Sequence, residues 1–289
     1  MPSVTMTAHS AGWNFDPIIV IPVVALGAGY AIGIRRLTRR PGRTVMAVWA
    51  PAAFGGGVMA LIAALVSPLD SLSAELLSSH MGQHLLLMLV AAPLLVLGAP
   101  AVPLLLALPL RWRQRLHRFG RIKLVRVIRG FLTQPLVVWV LSVIALWSWH
   151  APWLYEAAVQ NDAVHILEHT TFLGTSLLFW WVVIDPGRRR LAAGHDVLYV
   201  FTAGIQSSML GALLTFSASP LYGIYVEAAS GHGGSALQDQ QIAGLIMWIP
   251  AAAVYLLAAG TLFVRWLRSV EEEAVRRERA GGRPVRVEA

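Results

Sequence analysis

All 23 lysines and arginines of this 289-residue chain fall in alternate connections between apolar runs or in the C-terminal tail. That segregation narrows the possible folds sharply. Arg35, Arg36, Arg39, Arg40 and Arg43 follow the first run, eight basic residues lie between Arg111 and Arg129, Arg188 to Arg190 form a third cluster, and the rest lie from Arg265 onward. The intervening runs approach the roughly 20 residues that a helix needs to cross a hydrocarbon core. In that medium each backbone polar group must be satisfied within the segment or by a closed barrel, and these runs have helical length. Basic residues mark cytoplasmic ends. The chain is therefore predicted to be an all-α, polytopic membrane helix bundle of seven transmembrane helices, N terminus outside and C terminus in the cytoplasm.

The expected spans are about Pro17–Ile34, Thr44–Val66, Leu76 onward, Pro135–Trp149, Ala163–Ile184, Val197–Phe216 and Asp239–Trp266. These divide the chain into an external segment 1–16, a transmembrane domain 17–268 and a charged cytoplasmic tail 269–289. Residues 1 to 16 contain no Lys or Arg, so they lack the basic start of a cleavable signal peptide and the first helix is expected to stay attached. Pro93 and Gly98-Ala99-Pro100 predict a kink or break in the third span. The connections at Ser67–Glu75 and Ser217–Gln238, the latter with Glu227 and His232, carry acids and no base, as external loops do. A composition 56% hydrophobic and 13% charged agrees with a membrane protein.

A net charge of +8 and a pI near 10.7 raise the question of nucleic acid. The distribution decides against it, because bases confined to short cytoplasmic connections set orientation and touch anionic membrane lipid. The chain has no cysteine. Disulfides, iron-sulfur clusters and thiolate metal sites are thereby excluded, and any metal must be held by His, Met or carboxylate.

Such ligands are concentrated where two inward-running helices begin. In His80-Met81-Gly82-Gln83-His84 the histidines are four apart and share one face, which Met88 continues a turn deeper. His165 and His169 repeat the spacing, with Glu168 between them. His150, in the aromatic stretch Trp147 to Tyr155, falls at the same external level, so five of the nine histidines share a layer. Imidazole suits copper, zinc or iron, and thioethers at Met81, Met88 and Met247 favour Cu(I). Methionine is also common helix filler, and a single interfacial histidine can simply cap a helix or meet headgroups. Glu168 is either a ligand or the acceptor that fixes a ligating imidazole. Asp239, at the mouth of the seventh span, is either a helix cap or part of the layer. The aromatic stretch reads as an ordinary interfacial belt.

Four segments carry a family resemblance: His80-Met81-Gly82-Gln83-His84 with the run from Ala92 to Gly98, Trp149-His150-Ala151-Pro152 through Tyr155, His165 with Glu168-His169, and Asp239-Gln240-Gln241 with Gly244 and Met247-Trp248. Together they resemble the CtaG family, seven-span bacterial proteins linked to cytochrome c oxidase assembly. The likeness runs from Trp13 to about Trp266. It implies a plasma-membrane protein that matures the oxidase, with oxidase subunits as partners and copper presented on the external side. A single-span copper chaperone shares the family's name but uses cysteine ligands, so this chain is not of that type. From the residues alone three other readings stay open. One is a zinc hydrolase, in which three histidines leave a position for water and Ser67, Asp70 and Glu168 assist. Another is a b-type haem protein using one imidazole from each facing helix, which leaves two unexplained. The last is a copper pore, which would need ligands at several depths.

Overall fold

The computed structural model describes residues 12–39, 46–184, 194–226 and 235–281. Residues 1–11, Arg40, Arg43, the cluster Arg188 to Arg190, Glu227, His232 and residues 282–289 lie outside the described residues. Among the described residues every regular element is helical. The helices are α1 (Pro17–Thr38), α2 (Ala50–Leu65), α3 (Pro68–Ser73), α4 (Leu77–Leu97), α5 (Ala101–Ala107), α6 (Leu110–Arg121), α7 (Lys123–Leu132), α8 (Pro135–Trp149), α9 (Pro152–Gln160), α10 (Asp162–Ile184), α11 (His195–Thr215) and α12 (Ala236–Gly281).

Five of these, α1, α4, α10, α11 and α12, are long and apolar enough to cross a membrane. Helices α7 and α8 make a sixth only if counted together, and they bend by 67° at Thr133-Gln134. The sixteen-residue α2 is apolar but shorter. The second expected span is thus a short helix and the fourth a fifteen-residue one. Helix α12 runs without interruption past Trp266 to Gly281, so the start of the charged tail continues the last helix.

Helix α4 lies at the centre of the bundle, packed against α2, α10 and α12. Its apolar stretch is 44% buried, against 17% for α1. That enclosure is why a helix opening with His80, Gln83 and His84 can be accommodated, since polar groups at membrane depth must face protein. The third span was expected to kink or break, and its regular α-helical ladder is interrupted once and then ends. Residues Leu86–Ala91 form a π turn ahead of Pro93, whose ring cannot continue a regular helix. The indole N–H of Trp180 on α10 donates to the Met88 carbonyl inside that turn at 2.9 Å, meeting an acceptor that the altered ladder exposes. The helix ends at Gly98-Ala99-Pro100, with Ala99 at φ 46°. The short α5 then packs beside α1, and its C-terminal carbonyls accept from Arg36 and Arg113. The eight bases between Arg111 and Arg129 lie on α6 and α7, neither of which buries a residue.

Helices α11 and α12 make the most extensive helix pair. Their backbones meet at Gly211 and Gly244, where a Cβ on Gly211 would lie 2.9 Å from the Gly244 carbonyl oxygen and one on Gly244 would lie 2.6 Å from that of Gly211. Small residues permit this approach.

Candidate metal centre

The i, i+4 spacing on α4 turns His80 and His84 to one side, and the same spacing on α10 turns His165 and His169 toward them. Because α4 and α10 pack side by side, the two pairs converge. Ring centres lie 4.4 Å apart for His80 and His84, 4.1 Å for His165 and His169, 5.3 Å for His80 and His165, and 5.4 Å for His84 and His169. Ligand atoms of His80, His165, Glu168 and His169 all fall within 4.8 Å of one another. His84 joins through Glu168, whose two oxygens stand 3.5 Å from His80 Nε2 and 3.6 Å from His84 Nε2.

These separations exceed good hydrogen-bond lengths. Neither oxygen of Glu168 has a hydrogen-bond partner, and neither has either nitrogen of His80 or His84, nor Nε2 of His165 and His169. Glu168 is wholly buried and His80 nearly so. Buried polar groups are ordinarily paired, and a cluster of unpartnered atoms that are all of metal-ligand type is a donor set that fits a cation. Two ligands of one tetrahedral ion stand about 3.4 Å apart, given metal–nitrogen and metal–oxygen bonds near 2 Å, so the 3.5 and 3.6 Å approaches fit a shared ion. The donor set of imidazoles and one carboxylate can hold copper or zinc.

His150 follows α8, and its ring centre lies 6.2 Å from that of His84. Its Nδ1 donates to the Leu146 carbonyl at 2.7 Å, which leaves Nε2 facing the Met81 sulfur at 3.4 Å. Desolvation by burial lowers its pKa to about 4, so the ring is neutral and Nε2 carries a lone pair. Met88 and Met247 line a cavity of about 20 Å³ with His84 and His150.

Asp239 lies outside this group and does not cap its own helix. Its carboxylate accepts from the backbone N–H of Leu77 at 2.7 Å and of Ser78 at 3.3 Å, capping α4 from α12. That partner is 162 residues away in sequence, so no local pattern reveals it.

Several contributors escaped the sequence reading. Tyr155, expected as an interfacial anchor, is fully buried with its ring centre 5.0 Å from that of His80. Its hydroxyl pairs with that of Tyr225 at 2.8 Å, and Tyr225 donates to the Ser73 carbonyl. Tyr222 donates to the His150 carbonyl. These tyrosines close the end of the cluster. Desolvation by burial raises all three hydroxyls well above the usual phenol range, so they remain protonated. Gln83 extends the polar network, donating to Asp70 at 2.7 Å and to the Ala64 carbonyl at 2.8 Å, while Asn14 donates to the other Asp70 oxygen. Gln83 had a visible signal, a polar residue one turn from His80 and next to His84. Tyr222 and Tyr225 had none, and Tyr155 was marked only by its place in a segment of the family resemblance.

Residues 28–269 match the model of the family described as cytochrome c oxidase caa3 assembly factor. Among curated proteins, the chain is 27% identical over 280 residues to an uncharacterized protein of Mycobacterium leprae, covering 92% of this chain and 41% of that protein. It is 28% identical over 278 residues to uncharacterized proteins of Mycobacterium bovis and Mycobacterium tuberculosis, with 92% and 41% covered. The chain thus spans about two fifths of the length of the curated relatives it matches. No solved structure matches it.

Proposed function

Because this chain belongs to the cytochrome c oxidase caa3 assembly factor family, we propose that it serves oxidase maturation by holding copper, as cargo for the oxidase, among His80, His84, His165, Glu168 and His169. The observation that carries this reading is the set of buried imidazole and carboxylate atoms without hydrogen-bond partners, brought to one point by α4 and α10. Copper would supply the oxidase with its redox centre. The protein's own residues hold the ion and exclude water, and Asp239 fixes the start of the helix that presents two of the imidazoles.

The orientation belongs to the same reading. Seven crossings, with the shorter α2 and α8 completing the five long helices and α7 left on the inner side, put all Lys and Arg on the cytoplasmic side. The histidine ends of α4 and α10 then face outward, where a copper-receiving oxidase domain can reach them.

The test is copper content and oxidase activity in copper-limited cells carrying His84→Ala with His169→Ala. Both should fall together while the variant remains inserted. An expressed double variant with unchanged oxidase copper and activity would reject the proposal. Loss of a Soret band from this protein would put haem in its place, and loss of a zinc-dependent hydrolysis would make the protein an enzyme.

A further inference from the structure

The five histidines do not form one uniform site. His80, His165, Glu168 and His169 offer nitrogen and oxygen. Beyond His84 the chemistry changes, because the cavity lined by His84 and His150 is bordered by Met88 and Met247, with the Met81 sulfur against His150. At about 20 Å³ it exceeds the roughly 10–15 Å³ that one water-sized occupant requires.

The contact between His150 and Met81 is informative. Since a carbonyl oxygen can only accept, the Leu146 contact puts a proton on Nδ1 of His150. Nε2 is thereby turned toward the Met81 thioether sulfur at 3.4 Å, and both are metal-ligand atoms. Two such atoms in a buried place are held together favourably by a cation. His84 adds a further unsatisfied donor. Its Nε2 stands toward Glu168 and its Nδ1 has no partner, while its ring also lines the cavity.

We infer that the thioether pocket of His150, Met81, Met88 and Met247 is a second binding site, for a soft monovalent cation of the Cu(I) or Ag(I) class, and that His84 is the ligand it shares with the His/Glu site. The inference rests on the metal-holding reading above and divides it. Thioethers select soft ions, whereas a carboxylate with imidazoles also takes divalent zinc or Cu(II). A shared imidazole lets an ion pass from one ligand set to the other without becoming free.

Purified full-length protein in detergent would be titrated with Ag(I) and, separately, with Zn(II), comparing wild type with Met81→Leu/Met88→Leu/Met247→Leu and with His165→Ala/His169→Ala. Leucine preserves volume and apolarity, so the triple variant should keep the wild-type helical signal and elution profile. It should lose Ag(I) affinity by about tenfold or more and keep its Zn(II) affinity, while the histidine variant should do the reverse. X-ray absorption of Cu(I)-loaded protein should show sulfur neighbours in wild type and none in the triple variant. Unchanged Ag(I) binding in the methionine variant would overturn the second site, as would wild-type Cu(I) protein with no sulfur neighbours in its X-ray absorption. In either case the His/Glu site would stand. Wild-type protein that retains neither ion would defeat both readings.

Discussion

The Asp239 carboxylate on α12 accepts a 2.7 Å hydrogen bond from the backbone N–H of Leu77, the first residue of α4. A helix that opens the bundle's most polar segment is thereby capped by a residue from the far end of the chain. Asp239→Ala should destabilise the detergent-solubilised protein by about 1–2 kcal/mol, the usual range for a lost helix cap. Asp239→Asn, which keeps an acceptor, should lose less. Thermal unfolding followed by circular dichroism would show the order, and equal melting of all three proteins would contradict the cap.

Glu168 supplies a contrast between stability and binding. Its carboxylate is fully buried with no hydrogen-bond donor. Ionisation there is expensive without a cation. Glu168→Gln should therefore leave the metal-free protein at least as stable as wild type and weaken Zn(II) binding by about 10- to 100-fold, the range seen when groups around a metal are altered. A variant that melts lower while binding Zn(II) normally would assign Glu168 to packing instead.

The contact between α11 and α12 depends on the missing side chain of Gly244. Any Cβ there meets the Thr215 hydroxyl and the Gly211 carbonyl oxygen. Gly244→Ala should cost about 1–3 kcal/mol through overpacking, whereas Gly260→Ala, where a Cβ meets nothing within 4 Å, should be tolerated. The same unfolding assay, run on both, separates close approach from mere helix propensity.

Orientation can be read directly because the chain has no cysteine. Single cysteines replacing Ser71 or Asn161 should react with an impermeant maleimide in intact cells, and one replacing Gly120 on α6 should react only after permeabilisation. Labelling of the Gly120→Cys protein alone would invert the proposed topology.

Much of this could be read from the chain as a string. Apolar run lengths and the confinement of Lys and Arg to alternate connections follow from the hydrocarbon core excluding both charge and unpaired backbone, so they announced an all-helical membrane bundle. Histidines four apart share a helix face by helix geometry alone, which marked His80 with His84 and His165 with His169 as pairs. Other features depended on which helices became neighbours. Only packing of α4 against α10 joined the pairs around Glu168. Only the fold brought Asp239 to Leu77, turned Tyr155 inward from an expected belt, and closed the cluster with Tyr222 and Tyr225. It also grouped Met88 and Met247 beside His84 and His150. Periodicity specifies which way a residue points on its own helix. The partner it finds there is set by tertiary packing between segments as much as 162 residues apart, for which the local sequence carries no signal.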